Sequence, residues 1–233
     1  MPATMERINR QEISKSGIIP EGYQLIRDTF PLKVLDLKKA ITESVSGAKV
    51  PVMRCTGLFQ KADELNANGR IYPYDCLKAA VESIQGAVKN RSVIGEFDHA
   101  SDAKVHLDRI SHIVTKLTMD GRNVMGEIEV INDERCVYGN MLACYLDRGM
   151  QVGISSRGVG DMELTMHEGK EAYKVLDGYQ IISFDCVAEP SVAGTQLKKQ
   201  MNESLNRNKI SPKMMKEMRE RLLVKEIKYF LLG

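Results

Sequence analysis

The chain has 233 residues, of which 43% are hydrophobic and 27% charged, and its formal net charge is +2. This composition is typical of a globular protein and excludes a disordered or fibrous chain. A net charge so close to zero gives no general argument for nucleic-acid binding, so no nucleic-acid partner is expected.

The cysteine pattern indicates free thiols rather than a stapled fold. There are five cysteines without a C-x-x-C pair, at Cys55, Cys76, Cys136, Cys144 and Cys186. Neither a disulfide framework nor a zinc knuckle is expected, and we predict no metal and no cofactor. The sequence has no run of 18 apolar residues and no apolar signal core. We therefore expect a cytosolic protein that does not enter a membrane.

Three regions follow one another along the chain. Residues 1–48 form a mixed, polar N-terminal extension, which could be a propeptide and ends in a linker of small residues. Residues 49–195 carry dense strand and helix signals and are predicted to be the folded domain. Residues 196–233 form a charged tail, in which Ser211 and Pro212 predict the start of a helix over residues 213–232. That helix could dock on a partner, pack on the domain or simply be solvated.

Within the folded domain the predicted elements alternate irregularly. Strands are predicted over residues 50–59, 109–119, 123–131, 151–155, 162–166, 171–176 and 179–188, with a hairpin turn at Asp120-Gly121. Helices are predicted over residues 74–88, with Leu77, Ala80, Val81 and Ile84 on the apolar face, and over residues 134–148. The pattern predicts an α+β fold with a mostly antiparallel β-sheet or barrel core flanked by helices.

The histidines give one candidate for acid–base chemistry. The four are His99, His106, His112 and His167. His99 follows a short apolar strand in the sequence from Gly95 to His99, which is a typical location for a catalytic group. His106 and His112 share a face of a strand but lie too far apart to bind one metal, so we expect them to be solvated or packed. His167 is expected at the surface.

The segment Gly153-Ile154-Ser155-Ser156-Arg157-Gly158 is a candidate nucleophile site. Its glycines predict a sharp turn at a strand end, which could direct backbone N–H groups at an oxyanion. The same residues are ordinary loop composition, which is the simpler interpretation of the local sequence. They do not fit the G-x-S-x-G elbow of esterases, and the chain has no H-E-x-x-H motif of metalloproteases.

Asp185 is the third candidate because it interrupts an apolar strand. A buried carboxylate is costly unless it is paired, and a histidine would provide such a partner. The alternative is a carboxylate on an edge strand that faces water. The sequence leaves both interpretations open.

Four segments in a fixed order resemble the prohead core proteases of T-even-like tailed phages, a serine protease family related to the herpesvirus assemblins. They are Asn68-Gly69-Arg70-Ile71-Tyr72-Pro73, Gly95-Glu96-x-x-His99, the segment from Gly153 to Gly158, and Asp185-x-Val187-x-x-Pro190-Ser191. The resemblance covers about residues 50–192 and implies an assemblin-like fold. The family often has a proline after the histidine, where this chain has Ala100.

The resemblance implies roles for individual residues. Ser155 corresponds to the nucleophile, His99 to the general base and Asp185 to the third member, with Glu96 and Asp98 as rivals for that third position. Ser156, Arg157 and Gly158 would support the oxyanion or the loop, and a more cautious interpretation makes Arg157 a structural anchor.

The resemblance also implies substrates and a location. The expected activity is endopeptidase cleavage of the scaffold (core) proteins, the major capsid protein and the enzyme itself, inside the immature capsid in the host cytoplasm, by a homo-oligomer. The family cleaves after Glu in apolar-x-Glu sequences, and matching self-processing sites in this chain are Glu21, Glu43 and Glu203. The alternative is a non-catalytic scaffold or capsid-assembly module, which would not need His99 and Ser155 as a pair.

Overall fold

The structure, a computed structural model, describes residues 9–31, 36–43, 47, 49–98 and 100–188. The helices in these ranges are α1 (Arg10–Ser16), α2 (Tyr74–Ser83), α3 (Gln85–Lys89) and α4 (Val137–Asp147). The strands are β1 (Gln24–Pro31), β2 (Asp36–Glu43), β3 (Lys49–Lys61), β4 (Arg70–Ile71), β5 (Ile94–Glu96), β6 (Ile110–Asp120), β7 (Asn123–Val130), β8 (Val152–Gly160), β9 (Met162–His167), β10 (Lys170–Val175) and β11 (Gln180–Ala188).

The described strands form three sheets. The largest has the order β2-β3-β7-β6-β5, a second has the order β1-β8-β11, and a small third sheet has the order β4-β10-β9. The named strand pairs are antiparallel except β4 with β10. The predicted α+β class, with a mostly antiparallel sheet core and flanking helices, is confirmed.

The main hydrophobic core lies where helix α2 and the sheets meet. The predicted apolar face of this helical segment is confirmed, because Leu77, Ala80, Val81 and Ile84 are all buried. The single helix predicted over residues 74–88 is divided in two, since α2 ends at Ser83 and α3 begins at Gln85.

The hairpin of β6 and β7 forms as the sequence predicts. Residue alternation on β7 is strict between half-buried and buried positions, as expected for a strand with one face on the core. The turn lies one residue later than predicted, at Gly121 and Arg122. Gly121 has a φ of 56°, a left-handed conformation that glycine adopts without strain.

Two further boundaries differ from the sequence prediction by three residues or more. Helix α4 begins at Val137 rather than at residue 134, because Asp133 forms a local turn in which its carboxylate accepts from the Arg135 backbone N–H. Strand β8 continues to Gly160 instead of ending at Ser155.

Residues 9–23 pack against the sheet that β1 forms with β8 and β11. Ile13 of α1 is buried in a small second core with Val159 and Ile182. Arg10 donates to the backbone carbonyls of Ile181 (2.9 Å) and Ile182 (2.6 Å). This N-terminal segment therefore belongs to the same compact unit as the strands predicted for the folded domain. The predicted tail over residues 196–233 lies outside the described residues.

A seam joins the two larger sheets at β5 and β11. Phe97, just after β5, forms a parallel bridge with Cys186 of β11. At the same place, Nε2 of His112 on β6 lies 2.9 Å from the carbonyl oxygen of Phe184. The end of β5 is thereby fixed beside β11.

Candidate active site

Ser155 lies in the middle of β8, the central strand of its sheet. Its backbone pairs with Thr29 of β1 on one side and with Asp185 of β11 on the other. Residues directly opposite one another in antiparallel strands point to the same face, so these three side chains share one face of the sheet. The Ser155 side chain is fully buried, and the Thr29 hydroxyl donates to Ser155 Oγ over 3.1 Å.

The predicted turn at Ser155 is therefore wrong. The residues from Ser155 to Gly158 are strand residues with a neighbouring strand on each side. In such a strand the N–H groups point alternately at the two neighbours, where they take part in the ladders. This placement does not favour a turn whose free N–H groups, helped by Arg157, bind an oxyanion. It favours the cautious interpretation, in which Arg157 is a structural anchor.

Arg157 is the hub of a buried ion network on the same face as Ser155. Its guanidinium is fully buried and lies 2.8 Å from Glu96 Oε1 and 3.1 Å from Asp185 Oδ2. It also donates to the carbonyl oxygens of Asp102 (3.3 Å) and Lys104 (2.7 Å). Because the planar guanidinium has five donors, one side chain can hold two carboxylates and a loop together.

Asp185 is fully buried, so the alternative in which it faces water is wrong. Its Oδ1 accepts from Ser183 Oγ (3.0 Å), from Arg157 Nη2 (3.2 Å) and from the Glu96 backbone N–H (3.1 Å). These donors replace the water that the carboxylate loses on burial. Asp185 is thus fixed in position opposite Ser155.

Asp98 and Ala100, the residues before and after position 99, are hydrogen-bonded to the two strands that flank β8. His99 itself lies outside the described residues. Before it, the Asp98 backbone N–H donates to the carbonyl of Cys186 on β11 over 2.7 Å. After it, Arg27 on β1 donates to the carbonyl of Ala100 over 2.9 Å.

The rivals for the third position differ in their environment. Glu96 is fully buried, and its Oε1 accepts from Arg157 and from the His106 backbone N–H. Asp98 is exposed and has a φ of 72°. Gly95, the first residue of the same motif, has no room for a side chain, because a Cβ there would lie 2.1 Å from the Phe184 carbonyl oxygen.

His112 is a packed histidine, as expected. It is fully buried, Nδ1 lies 2.8 Å from Ser111 Oγ and Nε2 lies against the Phe184 carbonyl. Burial lowers its pKa to about 4, although the Asp185 charge acts in the opposite direction. His112 is therefore neutral at pH 7. Within the described residues, no cluster of His, Cys, Asp and Glu side chains could hold a metal ion, and no helix is long and apolar enough to span a membrane.

Residues of β1 were missed by the sequence reasoning. Thr29 and Arg27 contact Ser155 and Ala100, and Asp28 between them is buried and holds side chains of the Asn68–Pro73 motif. Residues 27–29 give little local signal, because Arg-Asp-Thr is an ordinary polar sequence inside a segment that reads as an extension.

The antiparallel α+β architecture, with a serine at the centre of one sheet, defines the class as an assemblin-like serine protease fold. The chain belongs to the prohead core protein serine protease family, whose family model matches residues 23–206. That match includes β1 as well as the segments on which the resemblance was based.

Two similar proteins come from the same phage. The prohead core protein protease of Enterobacteria phage T4 is 30% identical over 144 residues, which are 60% of this chain and 66% of that protein. The match thus spans slightly less than two thirds of this curated relative. The solved structure of the bacteriophage T4 capsid assembly protease superposes with a TM-score of 0.63 at 25% identity, covering 72% of this chain and 99% of the other.

Proposed function

We propose that this protein is a serine endopeptidase that matures phage capsids, with Ser155 as nucleophile and His99 as general base. The observation that carries the proposal is that the residues before and after position 99 are anchored on β11 and β1, on either side of the strand that bears Ser155. This arrangement supports a His99 imidazole within reach of Ser155 Oγ. Membership of a serine protease family supports the same chemistry.

In the proposed mechanism His99 accepts the Ser155 hydroxyl proton as Oγ attacks the scissile carbonyl. The tetrahedral intermediate collapses when the imidazolium gives that proton to the leaving amine, and water then hydrolyses the acyl-enzyme. Asp185 is proposed as the third member, because its buried carboxyl group lies on the same face as Ser155 and could stabilise the imidazolium. Arg157 and Gly158 support the strand that holds the nucleophile, whereas the Ser156 hydroxyl lies on the opposite face of β8 and takes no part in the proposed mechanism.

Substrate access requires a movement. Ser155 is fully buried in this structure, so a peptide carbonyl can reach its Oγ only after the atoms around it move. We infer that the uncut chain is a precursor that becomes active after such a rearrangement. Its proposed substrates are the scaffold and capsid proteins of the immature particle and its own chain.

The proposed self-processing sites differ in their surroundings. Glu21 lies in an exposed turn between α1 and β1, followed by Gly22 with a φ of 82°. Glu43 is the last residue of β2, an edge strand of the five-stranded sheet. Glu203 lies outside the described residues. An exposed turn and a strand end are segments that a protease can bind in extended form.

The test compares the intact masses of wild type, Ser155→Ala, His99→Ala and Ser156→Ala during incubation. Ser156→Ala is a matched control, since the neighbouring serine points to the opposite face and its hydroxyl donates to the Asp28 carbonyl over 3.3 Å. We expect terminal fragments in wild type and Ser156→Ala alone. Glu21→Gln, Glu43→Gln and Glu203→Gln should each abolish one fragment.

The other outcomes are equally informative. Equal cleavage of wild type and Ser155→Ala would show that Ser155 is not the nucleophile. If no variant is cleaved, each is incubated with a peptide that carries an apolar-x-Glu sequence. Absence of cleavage there as well would support the alternative, a non-catalytic capsid-assembly module.

A further inference from the structure

Three side chains of one sequence motif converge on a single buried carboxylate. Asp28 of β1 is fully buried, and its Oδ1 accepts from Asn68 Nδ2 and Arg70 Nη1, each over 2.7 Å. Its other oxygen accepts from the Tyr72 hydroxyl. Burial raises the pKa of the Tyr72 phenol well above its usual value, and the Asp28 charge raises it further, so the phenol keeps the proton that it donates.

These contacts fix the register of β1. Arg70 and Asn68 also donate to the Arg27 backbone carbonyl, over 3.0 and 3.4 Å. If β1 slipped by one residue along β8, Asp28 would turn to the other face and lose all three side-chain donors. An uncompensated buried carboxylate is costly, so the motif selects one register.

The residues on either side of Asp28 point to the opposite face, where Ser155 lies. Thr29 donates its hydroxyl proton to Ser155 Oγ, and Arg27 donates to the Ala100 carbonyl. Because Ser155 Oγ is the acceptor in the first bond, its own proton is free to point at a base. Arg27, Asp28 and Thr29 thus connect the Asn68–Pro73 motif with Ser155 and with the backbone at Ala100.

We propose that Arg27, Asp28 and Thr29 of β1 form a positioning element for the Ser155 hydroxyl and the backbone at Ala100. Three side chains, those of Asn68, Arg70 and Tyr72, hold this element in register. This inference rests on the proposed role of Ser155 as nucleophile. It also changes the interpretation of the N-terminal extension. Strand β1 contributes to the proposed active site. It stays bound to β8 even when the chain is cut after Glu21 or Glu43.

The first experiment compares Thr29→Val and Thr29→Ser with wild type. Valine keeps the shape of threonine but cannot donate a hydrogen bond, whereas serine can. The readouts are the rate at which a fluorophosphonate labels Ser155, kcat and KM on a peptide with an apolar-x-Glu sequence, and Tm. We expect Thr29→Val to lower the labelling rate and kcat about 10-fold with KM and Tm little changed. Thr29→Ser should stay close to wild type.

The outcomes separate this inference from the proposed function. If wild type that has released its terminal fragments is still not labelled at Ser155, the proposed function is wrong and this inference with it. If wild type is labelled at Ser155 and Thr29→Val is labelled equally fast, Thr29 does not position the serine and only this inference is overturned. A fall in Tm that matches the fall in rate, without recovery in Thr29→Ser, would also contradict it.

The second experiment tests whether the cut segment is retained. In a Ser155→Ala chain, residues 44–48 are replaced by the recognition site of an unrelated protease, and the cleaved protein is passed over a size-exclusion column. We expect residues 1–43 to co-elute with the remainder. Asp28→Asn should release this fragment at lower urea concentration than Asp63→Asn, a control whose carboxylate accepts from the Tyr74 N–H outside β1. Separation of the unsubstituted fragment without denaturant would contradict the inference.

Discussion

Arg157 shows how much of this site depends on one side chain. The sequence places this residue two positions after the candidate nucleophile and leaves open whether it supports the oxyanion or is a structural anchor. In the structure it is fully buried and compensates two buried carboxylates, those of Glu96 and Asp185. The same guanidinium holds the backbone at Asp102 and Lys104. Its principal effect is therefore to hold β5, β8, β11 and this loop together.

Arg157→Met should lower the free energy of unfolding by about 3–5 kcal/mol, because it leaves Glu96 and Asp185 buried without their cation. The measurement is urea unfolding of Ser155→Ala protein, in which self-cleavage is prevented. Arg54→Met is the control, since the Arg54–Glu129 pair on the surface should contribute at most about 1 kcal/mol. Equal losses in the two variants would contradict the assigned role.

At the scale of elements, β8 is the strand that the sequence describes least well. Glycine, serine and arginine in succession look like a turn, yet all nine residues from Val152 to Gly160 are buried strand residues. Gly158 is required here for space and not for a turn. A Cβ at that position would lie 2.5 Å from ring atoms of Tyr179, which packs edge-on against Tyr72.

Gly158→Ala should therefore destabilise the protein by about 1–3 kcal/mol, the usual cost of overpacking a close-packed core. Gly86→Ala is the matched control, because Gly86 lies in α3 and a Cβ added there would meet nothing within 4 Å, so alanine should stabilise that helix by up to about 1 kcal/mol. Thermal unfolding of both variants checks the prediction. A higher Tm for Gly158→Ala would show that β8 can shift to accept the methyl group.

In the molecule as a whole, contacts across the seam between β5 and β11 fix the positions of the two larger sheets relative to each other. His112 of β6 reaches across it to Phe184 of β11, and Gly95 lets the two backbones approach. The Glu96 N–H donates to Asp185 at the same seam. The geometry of the candidate site is thus set by contacts between sheets as well as within one.

The neutral His112 should make stability depend on pH. Its pKa falls from about 6.5 in the unfolded chain to about 4 in the folded protein, so the unfolded state binds the extra proton as pH falls. The contribution of neutral His112 to the free energy of unfolding is therefore fully present above pH 6.5 and is lost as the pH falls to about 4. At about 1.4 kcal/mol for each unit of pKa, the total over the fall from 6.5 to about 4 is about 3–4 kcal/mol.

Urea unfolding at about pH 7 and about pH 5 measures this dependence. His112→Gln should be less stable than wild type at pH 7 and should lose less of its remaining stability at pH 5. If wild type and His112→Gln respond to pH in the same way, His112 is not the group that titrates.

The sequence alone is enough to predict the elements whose periodicity is strong. The alternation on β6 and β7 and the apolar face of α2 each reflect burial of one side of a regular element, which local residues encode. It also selected Ser155, Asp185 and His99 as candidates, through motifs that occur in order along the chain. Their roles remain proposals, and His99 lies outside the described residues.

The surroundings of those residues depend on which strands pair and which sheets pack together. Asp28 and Thr29 lie more than 100 residues from Ser155 in the chain, and no local pattern links them. Whether Asp185 faces water or a cation depended on which strands were neighbours, and the burial of Arg157 depended on the seam. Pairing across a sheet joins residues that are distant in sequence, and the cost of burying charge then favours the arrangement in which the buried carboxylates of Asp28, Glu96 and Asp185 each have a donor.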